Sequence, residues 1–319
     1  MFAAALALPF TYAADEPTPK APSDTAASTP ANKTSRTASA LAQKPAEPAQ
    51  KPPTPQSWAQ IDLTGYWVSV VTEDWRYRMI TAPKGDVGSI PASAEARKLA
   101  KDWDIAKDAQ AGQQCKAFGA AGIMRRPGRL HITWTEEKTL RLDFDSGTQT
   151  RLLHFTGYPY PMGFTGGETP VQMRRYEAPP DTAPSLQGFS AAAWKKYFDG
   201  RGFAGMGTGG GLGLPQAGQG GALMVITTRL LPGYLQSNGI PYGDEAVLTE
   251  YFNRVTLPHN EEWLVVTSIV EDPKYLYEPY ITSTHFKREP DGAKWHPTPC
   301  ATPAPLVEPP PPPKEAAKP

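Results

Sequence analysis

Ionisable side chains on strand-like segments are the first candidates for chemistry in this chain. Glu250 shares one face of the segment 246–255 with Phe252 and Arg254, because side chains alternate between the two faces of a strand. If that face points inward, Glu250 requires a partner, since an unpaired buried charge costs several kcal/mol. Arg151 and Arg254 are the two candidate partners. A closed structural ion pair, or a Glu250 that faces water, would produce the same pattern.

Two functional interpretations follow from this carboxylate. In the first, it anchors the polar part of a ligand in a mainly apolar cavity, and the predicted ligand-binding residues are Arg151, Glu250, Arg254, Trp134 and Tyr251. In the second, Glu250 exchanges protons with His154 or His285 in a lyase or isomerase reaction, which makes these three the catalytic candidates. The sequence leaves open whether the protein is an enzyme.

Metal and cofactor motifs are weak in this sequence. None of the five histidines pairs at His-x-His or His-x-x-x-His spacing, and a site built from His131, His154 and His285 on separate strands is only a minor alternative. The glycine run 207–211 lacks the Lys-Ser/Thr that follows a phosphate-binding loop. We therefore expect no metal and no cofactor.

Composition argues against a nucleic-acid partner. Lys+Arg and Asp+Glu number 32 each, so the formal net charge is zero and the basic-aromatic segment 75–79 is better explained as an amphipathic strand. Tyr275, Tyr277 and Tyr280, with Tyr158 and Tyr160, could instead form a sugar-stacking surface. This surface is the basis of a third hypothesis, an envelope-associated carbohydrate or protein binder.

The elements that would position these residues are mostly strands. Alternating or β-branched runs occur at 65–71, 130–134, 140–144, 150–155, 223–230, 246–255, 263–270 and 280–287. Only 92–111 has a helical composition, with Ser93 as its cap. Because helices do not separate the strands, we predict an all-β fold, an antiparallel barrel with a β-sandwich as the alternative.

Composition also divides the chain into segments. Residues 1–14 resemble a truncated signal peptide, and no apolar run is long enough to span a membrane. Residues 15–57 and 301–319 are rich in Pro and poor in large apolar residues, which predicts a disordered tether and a disordered tail. The domain then occupies 58–300, with a Gly-rich insertion at 199–221. This arrangement favours a periplasmic or secreted protein.

The two cysteines, Cys115 and Cys300, lie near the start and at the end of the strand-rich region. In an oxidising compartment they can form a disulfide that closes a loop of about 185 residues. Loop-closure entropy allows up to about 5 kcal/mol of stabilisation for a loop of that length.

One pattern extends over roughly residues 60–300. It includes 115–119 (CKAFG), 123–134 (IMRRPGRLHITW), 188–190 with Trp194, 248–252 (LTEYF), 271–276 (EDPKYL) and Cys300. It resembles a group of secreted bacterial proteins that look like lipocalin-type (calycin) barrels. The resemblance implies a lipocalin-like barrel and brings no catalytic motif, and the Gly-rich insertion departs from the compact connection expected there. The leading hypothesis is an exported, monomeric barrel that binds a small apolar or amphipathic molecule.

Overall fold

The structure, a computed structural model, describes residues 54–57, 59–156, 162–163, 177–196 and 221–305. Several predictions therefore lie outside the described residues. They are the signal-like segment 1–14, nearly all of the tether 15–57, the Gly-rich insertion except its last residue, the tail beyond residue 305, and Tyr158 and Tyr160.

Nine strands of the described chain form one closed β-barrel, which confirms the all-β prediction and excludes the sandwich. Its strands, in chain order, are β1 Gly65–Val70, β2 Arg129–Glu136, β3 Thr139–Phe144, β4 Gln149–His154, β6 Phe189–Lys196, β7 Gly221–Thr228, β10 Val247–Leu257, β11 Glu261–Glu271 and β12 Tyr280–Glu289. The short strand β5, Met162–Gly163, lies beside β6. In a separate two-stranded ribbon, β8 Gly233–Tyr234 pairs with β9 Pro241–Tyr242. The order around the barrel is β4-β3-β2-β1-β12-β11-β10-β7-β6. A contact between β6 and β4 closes it.

The closing contact departs from the predicted antiparallel pattern. Leu153 and His154 of β4 pair with Ser190 and Ala191 of β6 in parallel, whereas the other strand pairs around the barrel are antiparallel. A parallel pair needs a crossover connection in place of a tight hairpin. In the sequence, residues 155–188 separate β4 from β6, a length sufficient for such a crossover.

The helix predicted over 92–111 is interrupted. It forms α2, Ala94–Asp102, and α3, Ile105–Gln110. The interpretation of 75–79 as an amphipathic strand was wrong, because Trp75–Arg78 forms the short helix α1. Ser93 caps α2 as predicted, and Asp104 caps α3 by accepting the Ala106 N–H at 2.9 Å. Trp103 between them is extended and donates its indole N–H to Asp108 at 2.7 Å. The break therefore allows a second cap and buries the indole.

Two apolar cores lie one above the other. The larger fills the barrel and contains, among others, Trp67, Ile132, Leu142, Leu153, Leu223, Phe252, Leu264 and Phe286. The smaller joins α2 to the end of the barrel where β10 and β12 begin and β11 ends, and it contains Ala96, Ala100, Tyr242, Leu248, Val270 and Tyr280. The helical region, with α4 Ala120–Ile123 and a 3-10 turn at Gln114–Phe118, therefore caps that end.

Cys115 and Cys300 form the predicted disulfide, with Cα atoms 5.1 Å apart and a sequence separation of 185. The bond fastens the C-terminal segment to the 3-10 turn that carries Ala117 and Phe118 into the barrel core. Within the described ranges, no helix has the length and apolar character needed to cross a membrane.

Candidate functional site

Glu250 and Arg151 meet inside the barrel, and both are fully buried. Arg151 Nη2 lies 2.7 Å from Glu250 Oε2, and Nη1 lies 3.3 Å from Oε1, so the guanidinium binds the carboxylate with two hydrogen bonds. Of the alternatives left open by the sequence, the structure shows the inward-facing carboxylate with Arg151 as its partner. The alternative partner, Arg254, lies elsewhere on the same strand.

Two hydroxyl groups complete a buried polar cluster, defined here as Arg151, Ser190, Thr227 and Glu250. Arg151 Nη2 donates to Ser190 Oγ at 3.3 Å and to Thr227 Oγ1 at 3.2 Å, and the two hydroxyls are 2.8 Å apart. The cluster thus joins β4, β6, β7 and β10. Burial raises the pKa of the Tyr242 hydroxyl, and the nearby positive charge of Arg151 opposes that rise.

The cluster lies between the two apolar cores. Leu248 belongs to the cap core and Phe252 to the barrel core, and Glu250 is between them on the same face of β10. Ser268 stands opposite Glu250 on β11, and its hydroxyl has no hydrogen-bond partner among the described residues. A buried polar group without a partner costs about 1–3 kcal/mol. The stability of this part of the barrel therefore depends strongly on the hydrogen bonds and the ion pair within the buried polar cluster.

Tyr251 and Arg254, both predicted to bind ligand, lie apart from the cluster. Tyr251 is one residue from Glu250, so strand alternation turns it to the outer wall, where it packs against Ala191 and Met224. Arg254 pairs with Glu262 at the opposite end of β10.

The two candidate histidines also face outward. His154 follows buried Leu153 and stacks on Phe189, with ring centroids 5.1 Å apart. Burial lowers the pKa of His154, and the charge of Glu136 opposes this. His285 lies between Thr284 and Phe286, whose inward burial turns the imidazole to the outer wall. The structure therefore does not bring Glu250, His154 and His285 together.

His285 instead belongs to a surface network around Glu73. Its Nδ1 lies 3.4 Å from a Glu73 oxygen, and the other Glu73 oxygen pairs with buried Arg78. Burial alone would raise the pKa of Glu73, but the hydrogen bond from Thr72 and the neighbouring positive charges lower it below its usual value.

We expect the Glu73 network to make stability pH-dependent. Because the pKa of Glu73 is lower in the folded state, its contribution is present above the unfolded pKa near 4.5 and is lost as the pH falls through the folded pKa. At neutral pH the wild type should exceed Glu73→Gln by about 1 kcal/mol in free energy of unfolding. Urea denaturation across the acid range should show that difference shrinking. A constant difference would contradict the assignment.

At the end of the barrel opposite α2, three aromatic rings form a continuous wall. Phe155 lies 5.5 Å from Trp134 and 5.6 Å from Trp194, measured between ring centroids. Phe155 and Trp194 are buried, and Trp134 is half-buried. Of the predicted ligand-binding residues, Trp134 is thus placed at this end of the barrel.

A strap, defined here as residues 54–57 and 59–64, crosses this end. Trp194 donates its indole N–H to the Pro55 carbonyl at 2.8 Å, and Trp67 donates to the Leu63 carbonyl at 2.9 Å. The Asp62 carbonyl accepts from Arg254 at 3.1 Å. Hydrogen bonds from the barrel therefore hold the strap along its length.

A crevice of about 270 Å³ lies between the strap and the aromatic wall. It is lined by Gln56, Ala59, Ile61, Asp62, Leu63, Thr64, Trp134, Leu140 and Trp194. The predicted tether ended at residue 57, so the role of the strap was missed. The alternation of Ala59, Ile61 and Leu63 directly before β1 is the signal that could have identified it.

No family model matches the chain, and no curated protein or solved structure is significantly similar to it. The expected resemblance to calycin barrels is therefore supported only as far as the closed barrel itself.

Neither the tyrosine surface nor a metal cluster is formed by the described part of the chain. Tyr277 is 66% exposed, Tyr275 is half-buried and Tyr280 is buried, so these three do not share one exposed surface. Among the described residues, no three His, Cys, Asp or Glu side chains gather as a metal site would require.

Proposed function

We propose that this barrel binds a small amphipathic molecule at its strap-covered end. The observation that carries the proposal is the crevice beneath the strap, which has an aromatic wall on one side and polar strap atoms on the other. Its volume of about 270 Å³ is close to the lower limit of small-molecule pockets, about 300 Å³. The ligand class is therefore small, of the size of one fused ring system or a short acyl chain.

The lining suggests how such a ligand lies. Its apolar part packs on Trp134, Leu140 and Trp194, since burying apolar surface contributes about 25 cal/mol per Å². Its polar part faces Gln56 and Thr64 of the strap. Arg254 supports this end indirectly by holding the Asp62 carbonyl.

In this proposal Arg151 and Glu250 serve the barrel and do not contact the ligand. Their charges neutralise each other, and Phe155 and Arg151 are separated by about 13 Å along β4 at the usual rise per residue. The pair fixes the deeper level of the barrel on which the aromatic wall is built.

The proposal includes export from the cytosol. The disulfide between Cys115 and Cys300 supports it, because such bonds persist in oxidising compartments and are rare in the cytosol.

Substitution of Trp134 tests the site. We expect Trp134→Ala to weaken binding of the amphiphile 1-anilinonaphthalene-8-sulfonate at least tenfold in a fluorescence titration, because the alanine removes one of the three rings of the aromatic wall. The matched control is Trp75→Ala, since Trp75 is 66% exposed and does not line the crevice. Circular dichroism verifies that both variants fold.

Unchanged affinity in Trp134→Ala would overturn the assignment of the site. Native mass spectrometry of the protein purified from its own host is the complementary measurement, because a reproducible adduct that Trp134→Ala loses would identify the ligand class.

A further inference from the structure

Five outward side chains lie side by side across five neighbouring strands. Cross-strand pairing places Tyr66 of β1 between Glu289 of β12 and His131 of β2, and then continues from His131 to Asp143 of β3 and Thr150 of β4. Directly opposite residues on one face of a sheet have Cβ atoms about 5 Å apart. These residues, called the outer row below, therefore form a continuous strip on the barrel wall.

Aromatic rings form the middle of the strip. Tyr66 and His131 stack with centroids 3.9 Å apart and planes 3° from parallel. Trp295 meets both rings at an angle, with centroids at 6.0 and 6.1 Å. The two stacked rings thus cover each other's facing surfaces, and Trp295 stands beside the pair as a side wall.

Hydrogen-bonding groups form the end of the strip on β3 and β4. Asp143 accepts from Arg141 Nε at 2.7 Å and from Thr150 Oγ1 at 2.5 Å. The Arg141 side chain is 44% exposed, so most of its N–H groups remain accessible to a ligand. Burial alone would raise the pKa of Asp143, but the hydrogen bonds from Arg141 and Thr150 lower it.

Together these groups line an open groove of about 260 Å³ on the outer wall of the barrel. Its lining residues are Tyr66, His131, Arg141, Asp143, Phe144, Thr148, Gln149, Thr150, Trp295 and Pro297. None of them lines the crevice beneath the strap. A ligand of this groove is consequently independent of the small-molecule function proposed above.

We propose that the groove binds an uncharged oligosaccharide. A sugar ring presents C–H groups on its face, which suit aromatic π faces, and hydroxyls on its rim that both donate and accept. The groove supplies both: the half-buried ring of Trp295 beside the stacked pair, and a carboxylate, a guanidinium, hydroxyls and an amide at one end.

Other ligand classes fit less well. A phosphate or a nucleic-acid strand needs excess positive charge, whereas Asp143 neutralises Arg141 and Glu289 pairs with Arg129 at the opposite end of the row. A wholly apolar ligand would desolvate Arg141 and Asp143 without replacing their contacts with water. The mixture of flat rings and neutralised polar groups therefore points to carbohydrate.

Affinity electrophoresis tests the proposal. Native gels containing hydroxyethyl cellulose, glycol chitin or mannan should retard the wild-type protein in at least one case. Trp295→Ala and Asp143→Asn should each weaken that interaction at least tenfold, the first by removing the side wall and the second by removing the charged acceptor. Asp143→Asn keeps the side-chain size, so it separates binding from folding.

Two controls separate this site from the strap-covered one. Trp75→Ala and Trp134→Ala should be retarded like the wild type, and Trp295→Ala should still bind 1-anilinonaphthalene-8-sulfonate normally. Absence of retardation by all three polysaccharides, or retardation that Trp295→Ala and Asp143→Asn leave unchanged, would overturn the carbohydrate assignment.

Discussion

Replacing Arg151 with methionine should lower the free energy of unfolding by about 3–5 kcal/mol. The substitution leaves the Glu250 carboxylate fully buried and removes both hydrogen bonds that it receives from the guanidinium. It also removes a donor from Ser190 and Thr227. Urea denaturation at neutral pH, followed by far-ultraviolet circular dichroism, measures the loss.

Two comparisons make this result specific. The double variant Arg151→Met with Glu250→Leu replaces both charges by apolar groups, and we expect it to recover most of the lost stability. Glu261→Gln removes one partner of an exposed pair with Lys287 and should cost less than about 1 kcal/mol. If Arg151→Met lowers the free energy of unfolding by less than Glu261→Gln does, the buried pair does not stabilise the barrel.

The large effect has a structural cause in how the barrel closes. Within the described residues, the parallel seam between β4 and β6 consists of the pairs Leu153–Ser190 and His154–Ala191, whereas β10 and β11 pair over their full lengths. Arg151 lies on β4 and contacts Ser190 on β6, so the polar cluster adds a side-chain connection across this short seam. Hydrogen exchange of the β4 and β6 amides should therefore accelerate in Arg151→Met before the rest of the barrel is affected.

Strand alternation placed Glu250 on one face of its strand with Phe252 and Arg254, but it left open whether that face points inward. The spacing of four residues puts Arg254 about 13 Å from Glu250 along the strand, which the prediction of two candidate partners did not take into account. Only the barrel's closure, which brings β4 and β10 to the same interior, selects Arg151. The long segment between β4 and β6 has no strong pattern in the sequence, so the parallel seam was not predictable.

The candidate sites depend on contacts between distant parts of the chain. His154 and His285 each adjoin a buried apolar residue, so their outward direction could be inferred once those neighbours were assigned to the core. The outer row needs the register of five strands, and its side wall needs the position of Trp295 in the C-terminal segment. Periodicity predicts the face of each residue and leaves the register open.

Replacing Cys115 and Cys300 together with serine should lower the free energy of unfolding by up to about 5 kcal/mol. The disulfide spans a sequence separation of 185, and a loop of that length gains much conformational entropy in the unfolded chain when the bond is lost. Urea denaturation of the double variant measures the effect. Wild-type protein in excess dithiothreitol should unfold at the same urea concentration as the double variant, and a reduced wild type that is as stable as the oxidised one would contradict the prediction.

The same double substitution should also weaken carbohydrate binding in the groove on the outer wall. The C-terminal segment carries Trp295. Besides the disulfide, the Thr298 N–H holds it by donating to the Asp145 carbonyl at 2.8 Å, and the Thr148 hydroxyl by donating to the Thr298 carbonyl at 2.8 Å. Longer hydrogen bonds run from the Thr298 hydroxyl to the Asp145 carbonyl and from Arg126 to the Ala301 carbonyl. Each hydrogen bond contributes only about 1 kcal/mol, so Trp295 should sample positions away from Tyr66 and His131 once the disulfide is removed. Retardation by polysaccharide should then fall in the double variant while binding of 1-anilinonaphthalene-8-sulfonate beneath the strap persists, because none of the residues that line that crevice belongs to the freed segment.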